Sequence, residues 1–231
     1  MTQYDKSKRD FMNRFSAIGA GFFLSPAMEI FGKTEPRQSP SPMSLFETME
    51  KRVSVRKFKN DAVPKEDVEK ILRHALLAPN SGNQQAWRFL VVDDRKILDD
   101  FKKECIRSRE AVLKARGEVP PIGETRNFFE YVFAAPVFIN VLVDKNVRYK
   151  GYTDKDGALA AGWIMLAARA LGYGSVFFTD AIPEEICRSF FHIPENYSRT
   201  CIIPIGVPEE WPTRPARKKL EEVVFYNALP K

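Results

Sequence analysis

Residues 136–144 read PVFINVLVD, a run apolar on both alternating faces but for Asn140 and the final Asp144. Side chains alternate faces along a strand, so a strand with no polar side is buried on both. The chain must therefore supply helical layers for two faces of one sheet. SLFETMEKR (44–52) places Leu45, Phe46 and Met49 at helical spacing and predicts a helix ending near Arg52. Pro64 opens a second helix with apolar positions at Val68, Ile71, Leu72, Ala75 and Leu76, and Pro79 stops it. WRFLVVDD (87–94) reads as a strand and 95–117 as a charged surface helix. DGALAAGWIMLAARALGYG (156–174) is the most apolar helix, ending at Gly172 and Gly174. Being apolar nearly all round, it belongs in the core or a subunit interface. A short strand, a turn and a short helix follow, then the core strand TCIIPIGVP and an irregular tail from 209. These elements predict an α+β fold, a sheet flanked by helices.

Composition narrows the function classes. The 231 residues are 44% hydrophobic and 12% aromatic, enough for one sizeable core with an extension. The net charge of +6 comes from 36 basic and 30 acidic residues, well interspersed. No basic block alternates with aromatics, which argues against a nucleic-acid partner. Cys105, Cys187 and Cys201 lack CxxC spacing and read as buried small hydrophobes. His74 and His192 are the only histidines, so neither a metal centre nor a Ser-His-Asp relay is supported.

Residues 1–43 form a separate segment, preceding a body at 44–231. A basic stretch (Lys6, Lys8, Arg9, Arg14) precedes a short apolar run from Phe15 to Leu24 and a Pro/Ser-rich linker. SKRDFM at 7–12 is similar to the twin-arginine export motif, with Lys8 in place of the first arginine. That layout predicts a periplasmic or exported protein handled by the twin-arginine machinery. The alternative is an amphipathic helix docked on the body or a partner subunit, in a cytoplasmic protein.

Three polar clusters recur in the body. In KRVSVRKF (51–58) an extended backbone points Arg52, Ser54 and Arg56 to one side, either a site for a multi-oxygen anion or an ordinary solvated edge. APNSGNQQAW (78–87) gathers Asn80, Ser81, Asn83, Gln84 and Gln85 in one short loop. WPTRPARKKL (211–220) carries Arg214, Arg217, Lys218 and Lys219 in a proline-stiffened tail.

In their order and spacing these clusters resemble the nitroreductase family of flavoproteins, over Ser44 to Asn227. RVSVRKF matches the family's opening R-x-S-x-R-x-F, and APNSGNQQAW its A-P-S-x-x-N-x-Q-P-W. GYGS (172–175), PIGVP (204–208) and RKKLEE (217–222) match three further elements in order. The resemblance implies a mixed, mainly antiparallel sheet and an intertwined homodimer binding FMN at its interface. It implies phosphate or ribityl contacts from Arg52, Val53 and Ser54, and a cation, Arg56, beside the N1/O2 edge of the ring. Asn80, Ser81 and Asn83 would meet the pyrimidine side or ribityl chain. Phe177, Phe178 and Thr179 would lie along the ring with a backbone N–H near N5, and Arg214 and Arg217 would hold the phosphate. Asn80 stands where the family has Ser, Ala86 where it has Pro, and Asp180 where many members have Gly, departures that bear on substrate preference.

The activity implied is hydride transfer from NADH or NADPH through flavin N5 to a small nitroaromatic, quinone or related acceptor, with no catalytic side chain required. GYG at 172–174 lacks the glycine pattern and strand-before-helix context of a dinucleotide fold. Two other readings stay open. One is a specialised enzyme of the same fold, for dehalogenation or flavin fragmentation, with 114–130 (Arg116, Glu118, Glu124, Arg126) as a lid. The other is a flavin-binding sensor or storage protein without turnover.

Overall fold

The computed structural model describes residues 43–118 and 123–229. The export-like segment and residues 119–122 of the expected lid lie outside them.

Helix α1 (Leu45–Lys51) starts at Ser44, whose hydroxyl accepts the Glu47 N–H at 3.2 Å. Helix α2 (Lys65–Ala75) begins after Pro64, with Glu66 and Asp67 in its first turn. The loop 78–86 leads into strand β1 (Trp87–Val92). Asp94 caps α3 (Arg95–Ala115), accepting from the Ile97 N–H at 2.9 Å. Helix α4 (Glu124–Phe133) precedes strand β2 (Val137–Asp144). Helix α5 (Thr153–Ala170) starts three residues before the expected Asp156 and closes at Gly172, whose φ of 84° a side chain would strain. Strand β3 (Gly174–Ser175), helix α6 (Glu184–Phe190) and strand β4 (Tyr197–Gly206) complete the body.

The sheet has the order β1-β2-β4-β3, and all these pairs are antiparallel. The expected mixed character comes from one parallel bridge, Ser54 to Ser175. The segment 52–58 is held there by isolated bridges rather than as a strand. Strand β2 lies at the centre and is buried on both faces, as its composition requires. Val137, Ile139 and Val141 pack with Ile71, Ile164 and Ala168 of α2 and α5. Phe138 and Leu142 pack on the other face with Phe101, Phe129 and Cys187 of α3, α4 and α6.

Two irregularities place side chains for the site. Pairing shifts between Val141 and Leu142: Val141 faces Cys201 and Leu142 faces Arg199, so Thr200 is skipped. This bulge exchanges the faces of β4 below that point. Helix α5 meets the sheet closely at Gly157, where a β-carbon would collide with the Thr200 hydroxyl and Val143. The helix expected to end near Arg52 ends at Lys51, and its apolar residues Leu45 and Phe46 are 62% and 75% exposed. On α5, Ala160, Ala161, Ile164 and Ala168 are buried, while Leu159 and Trp163 face outward.

Candidate functional site

Alternation in RVSVR sends Val53 and Val55 into the core and leaves Arg52, Ser54 and Arg56 on the other side. The Val55 N–H donates to the Ser175 carbonyl at 3.0 Å, which fixes the segment against β3. Gly174 permits this approach, because a β-carbon there would press on Val55 and Pro208. Arg52 also caps the C-terminus of α1. The tail returns beside it, where Arg214 donates to the Met49 carbonyl at 3.2 Å. Burial first, then the charges of Arg214 and Arg217, disfavours the charge on Arg52. None of the three forms an ion pair among the described residues. Arg52 and Arg214 beside the end of α1, with the charge of Arg217 acting on Arg52 and no carboxylate paired to any of them, fit an anion with several oxygens, such as a phosphate monoester. Arg56 lies four residues further along the same side of this segment and is exposed.

The strip after β3 presents less than its sequence offers. Phe178 is buried among α3- and α4-side residues, and its N–H and C=O are both bonded to Ile202, at 3.1 and 2.9 Å. Like Val53, it holds the core and offers no side chain to a ligand. Phe177 is half-buried against the α5-side core, and Thr179 and Asp180 are exposed. The sequence gives no hint of Arg199, whose guanidinium donates to the Thr179 and Ile182 carbonyls at 2.7 and 2.6 Å.

The amide-rich loop is first of all a knot. Buried Asp156, in the first turn of α5, accepts the Ser81 N–H at 2.9 Å and the Ser81 hydroxyl at 3.0 Å through one oxygen. Its other oxygen accepts Gln84 Nε2 at 2.8 Å. Gln84 in turn accepts the Tyr149 N–H at 2.9 Å. Asn80 Oδ1 accepts the Gln85 backbone N–H at 2.8 Å, and Gln85 Nε2 donates to Asn83 Oδ1 at 3.3 Å. Gly82 sits under the Tyr149 ring at a φ of 56°, so a side chain there would meet both clash and strain. Among the described residues the side-chain amide nitrogens of Asn80 and Asn83 and the Gln85 side-chain oxygen make no hydrogen bond, and Asn83 is exposed, with φ of 51°. No hydrogen bond among the described residues joins this loop to the arginine cluster of the same chain. Sequence reading missed Asp156; its signal is a carboxylate opening an otherwise apolar helix.

A cavity of about 740 Å³ opens between the end of α3, the start of α4 and the strip. Phe128 and Phe129 form an aromatic wall, and Arg109, Glu118, Glu124 and Asp180 supply charge. Arg126, paired with Glu110 at 3.2 Å, ties α4 to α3 beside it. Through Asp180 and Ala181 the cavity adjoins the strip.

Residues 49–207 match the model of the nitroreductase family. An iodotyrosine deiodinase of Thermotoga neapolitana is 29% identical over 189 residues, covering 80% of this chain and 98% of the relative. Among solved structures, an FMN-dependent nitroreductase from Clostridium difficile R20291 superposes with a TM-score of 0.60 at 30% identity, covering 79% of this chain and 98% of that one. An oxidized iodotyrosine deiodinase bound to FMN and 3-iodo-L-tyrosine superposes with a TM-score of 0.66 at 26% identity, covering 80% and 100%.

Proposed function

We propose that this chain, which belongs to the nitroreductase family, is an FMN-dependent oxidoreductase that takes electrons from NADH or NADPH and delivers them to a small organic acceptor. The observation that carries the reading is the return of the tail to the end of α1, where Arg214 bonded to the Met49 carbonyl joins Arg52 with no carboxylate paired to either. Like charges gathered at a partly buried point are costly without an anion, and the FMN phosphate is an anion of the right valence and shape. Arg56 supplies a fixed cation further along, where negative charge on the reduced ring would be stabilised. Asn83 offers a neutral amide donor to ring atoms of alternating character. When bound, FMN supplies the hydride-accepting and hydride-donating centre, so no side chain needs to act as acid or base.

The site is completed, in this reading, by a second copy of the chain. Leu45, Phe46, Leu159 and Trp163 are exposed, as are Leu220, Tyr226 and Leu229 of the tail. An apolar surface of that extent favours burial in a homodimer, and the loop 80–85 would then meet the cofactor of its partner. For an exported enzyme the electron donor would be a membrane partner rather than free nicotinamide.

A second reading, reductive dehalogenation of an aromatic substrate, is favoured by the likeness to a deiodinase over 98% of that relative's length. The aromatic wall of the α3–α4 cavity suits either kind of substrate. The test is anaerobic. Purified protein should be yellow, or become so with FMN, and NADH or NADPH should bleach it. Reoxidation by a nitroaromatic supports the first reading, and iodide release from an iodinated phenol the second. Bound flavin that no nicotinamide reduces would leave a binding protein or a different donor. Colourless protein that takes up no FMN would refute both enzymatic readings.

A further inference from the structure

The bulge at Thr200 produces an arrangement that neither the family pattern nor the sequence motifs single out. Arg199 lies opposite Leu142 and therefore on the face of Phe101 and Cys187, whereas Thr200 reaches Gly157 on the α5 side. Only 9% of Arg199 is exposed. Its Nη2 donates to the carbonyls of Thr179 and Ile182 at 2.7 and 2.6 Å, and its Nη1 to Cys187 Sγ at 2.9 Å. No carboxylate pairs with its guanidinium among the described residues. Glu184 spends one oxygen on Arg188 Nη2 at 2.7 Å and on the backbone N–H of Arg199 at 3.2 Å.

A buried cation held by neutral acceptors is a poor device for stability, because its desolvation is not offset by a counter-charge. It is a good device for geometry. A planar guanidinium with two acceptors on one nitrogen fixes the direction of both carbonyls. Those carbonyls bracket the turn 179–182, which ends the strip and lines the cavity next to α4. In a trans peptide the C=O and the following N–H point opposite ways. Tying the Thr179 carbonyl inward to Arg199 therefore aims the Asp180 N–H outward, and that N–H has no acceptor among the described residues.

We propose that Arg199 is a positioning residue for the cofactor edge: it clamps the Thr179–Ile182 turn from inside the core, so that Thr179 and the Asp180 N–H face the ring of the bound flavin with a fixed positive charge behind them. The inference rests on the FMN reading above. Arg199 does not touch the ligand in this account; it acts through the turn.

The test compares Arg199→Met, Arg199→Lys and Cys187→Ala with the parent, each with and without FMN. Cys187→Ala disturbs the same core and removes the Nη1 contact but leaves both carbonyl bonds of Nη2 in place, so it sets the scale of a packing effect. Without FMN, amide exchange at Ala181 and Ile182 should quicken roughly tenfold or more in Arg199→Met and stay near the parental rate in Cys187→Ala. With FMN, the midpoint potential should move to more negative values in Arg199→Met and be partly restored in Arg199→Lys, which keeps the charge. Potential and exchange in a folded Arg199→Met that match Cys187→Ala would overturn the proposal. If Arg199→Met does not fold, Arg199→Lys alone decides, since losing one of the two carbonyl bonds must still quicken exchange in the turn. Parent protein that binds no FMN would remove the reading beneath the proposal, while the exchange comparison would still judge the clamp itself.

Discussion

Asp156→Ala removes the centre of the knot that holds the amide-rich loop. The carboxylate accepts three hydrogen bonds, from the Ser81 N–H, the Ser81 hydroxyl and Gln84 Nε2, all between 2.8 and 3.0 Å. A hydrogen bond to a charged group contributes about 1.5–3 kcal/mol, and a buried donor left without a partner costs about 1–3 kcal/mol. Ser81 and Gln84 are half-buried, so water recovers part of the loss and the three bonds do not add in full. The expected destabilisation is therefore about 3 kcal/mol, or about 6–12 °C in melting temperature for a domain of this size. Asp156→Asn keeps an acceptor for Ser81 but turns an amide N–H₂ toward that of Gln84, and should lose about half as much. Differential scanning fluorimetry with urea titration measures both, and FMN titration of each variant reports the loop as a ligand wall. A melting temperature for Asp156→Ala within a degree of the parent would refute the reasoning, because the loop would then be held by something other than this carboxylate.

Other expectations follow from the same geometry. Arg52→Ala should weaken FMN binding about ten- to a hundredfold, the loss of one charge-assisted contact, with a shallower salt dependence; fluorescence quenching on titration checks it. Gly157→Ala should destabilise the protein by about 1–3 kcal/mol, because the added carbon meets Thr200 and Val143. Gly162→Ala on the same helix meets nothing and should stabilise by up to about 1 kcal/mol; the pair is a matched control in one denaturation series. The three thiols are buried and free. Burial pushes Cys105 and Cys187 upward and Cys201 up to about 12. All three stay protonated near pH 8, so iodoacetamide should modify the native protein far more slowly than the urea-unfolded chain, as mass spectrometry would record.

Much of this molecule is legible in its residues. The apolarity of Val137–Val143 on both faces, interrupted only at Asn140, demands helices on both sides of β2, and the alternation of Val53 and Val55 with Arg52, Ser54 and Arg56 fixes which side the guanidiniums take. Those are local periodicities, and local periodicity survives into the fold. What was hidden depends on contacts between distant segments. Asp156 lies 75 residues from Ser81, and its role appears only when the start of α5 is set against the loop. The exposure of Leu45 and Phe46 follows from which surfaces find partners inside one chain, which no helical period specifies. Phe178 carries an aromatic side chain that pattern alone cannot assign to core or ligand. Arg199 was invisible because its direction is decided by one skipped residue in the neighbouring ladder.

That skipped residue has a consequence for anyone altering β4. From Cys201 onward the odd-numbered positions belong to the α5 side, as Ile203 and Ile205 do. Before Thr200 the odd position Arg199 belongs to the opposite side, with Leu142. The strand is in effect written in two phases joined at one residue. An engineered graft or a comparison that treats 197–206 as a single alternating series will exchange the α5 side for the opposite side in one half, whereas deleting Thr200 would leave Arg199 and Cys201 opposite Leu142 and Val141 in one regular ladder.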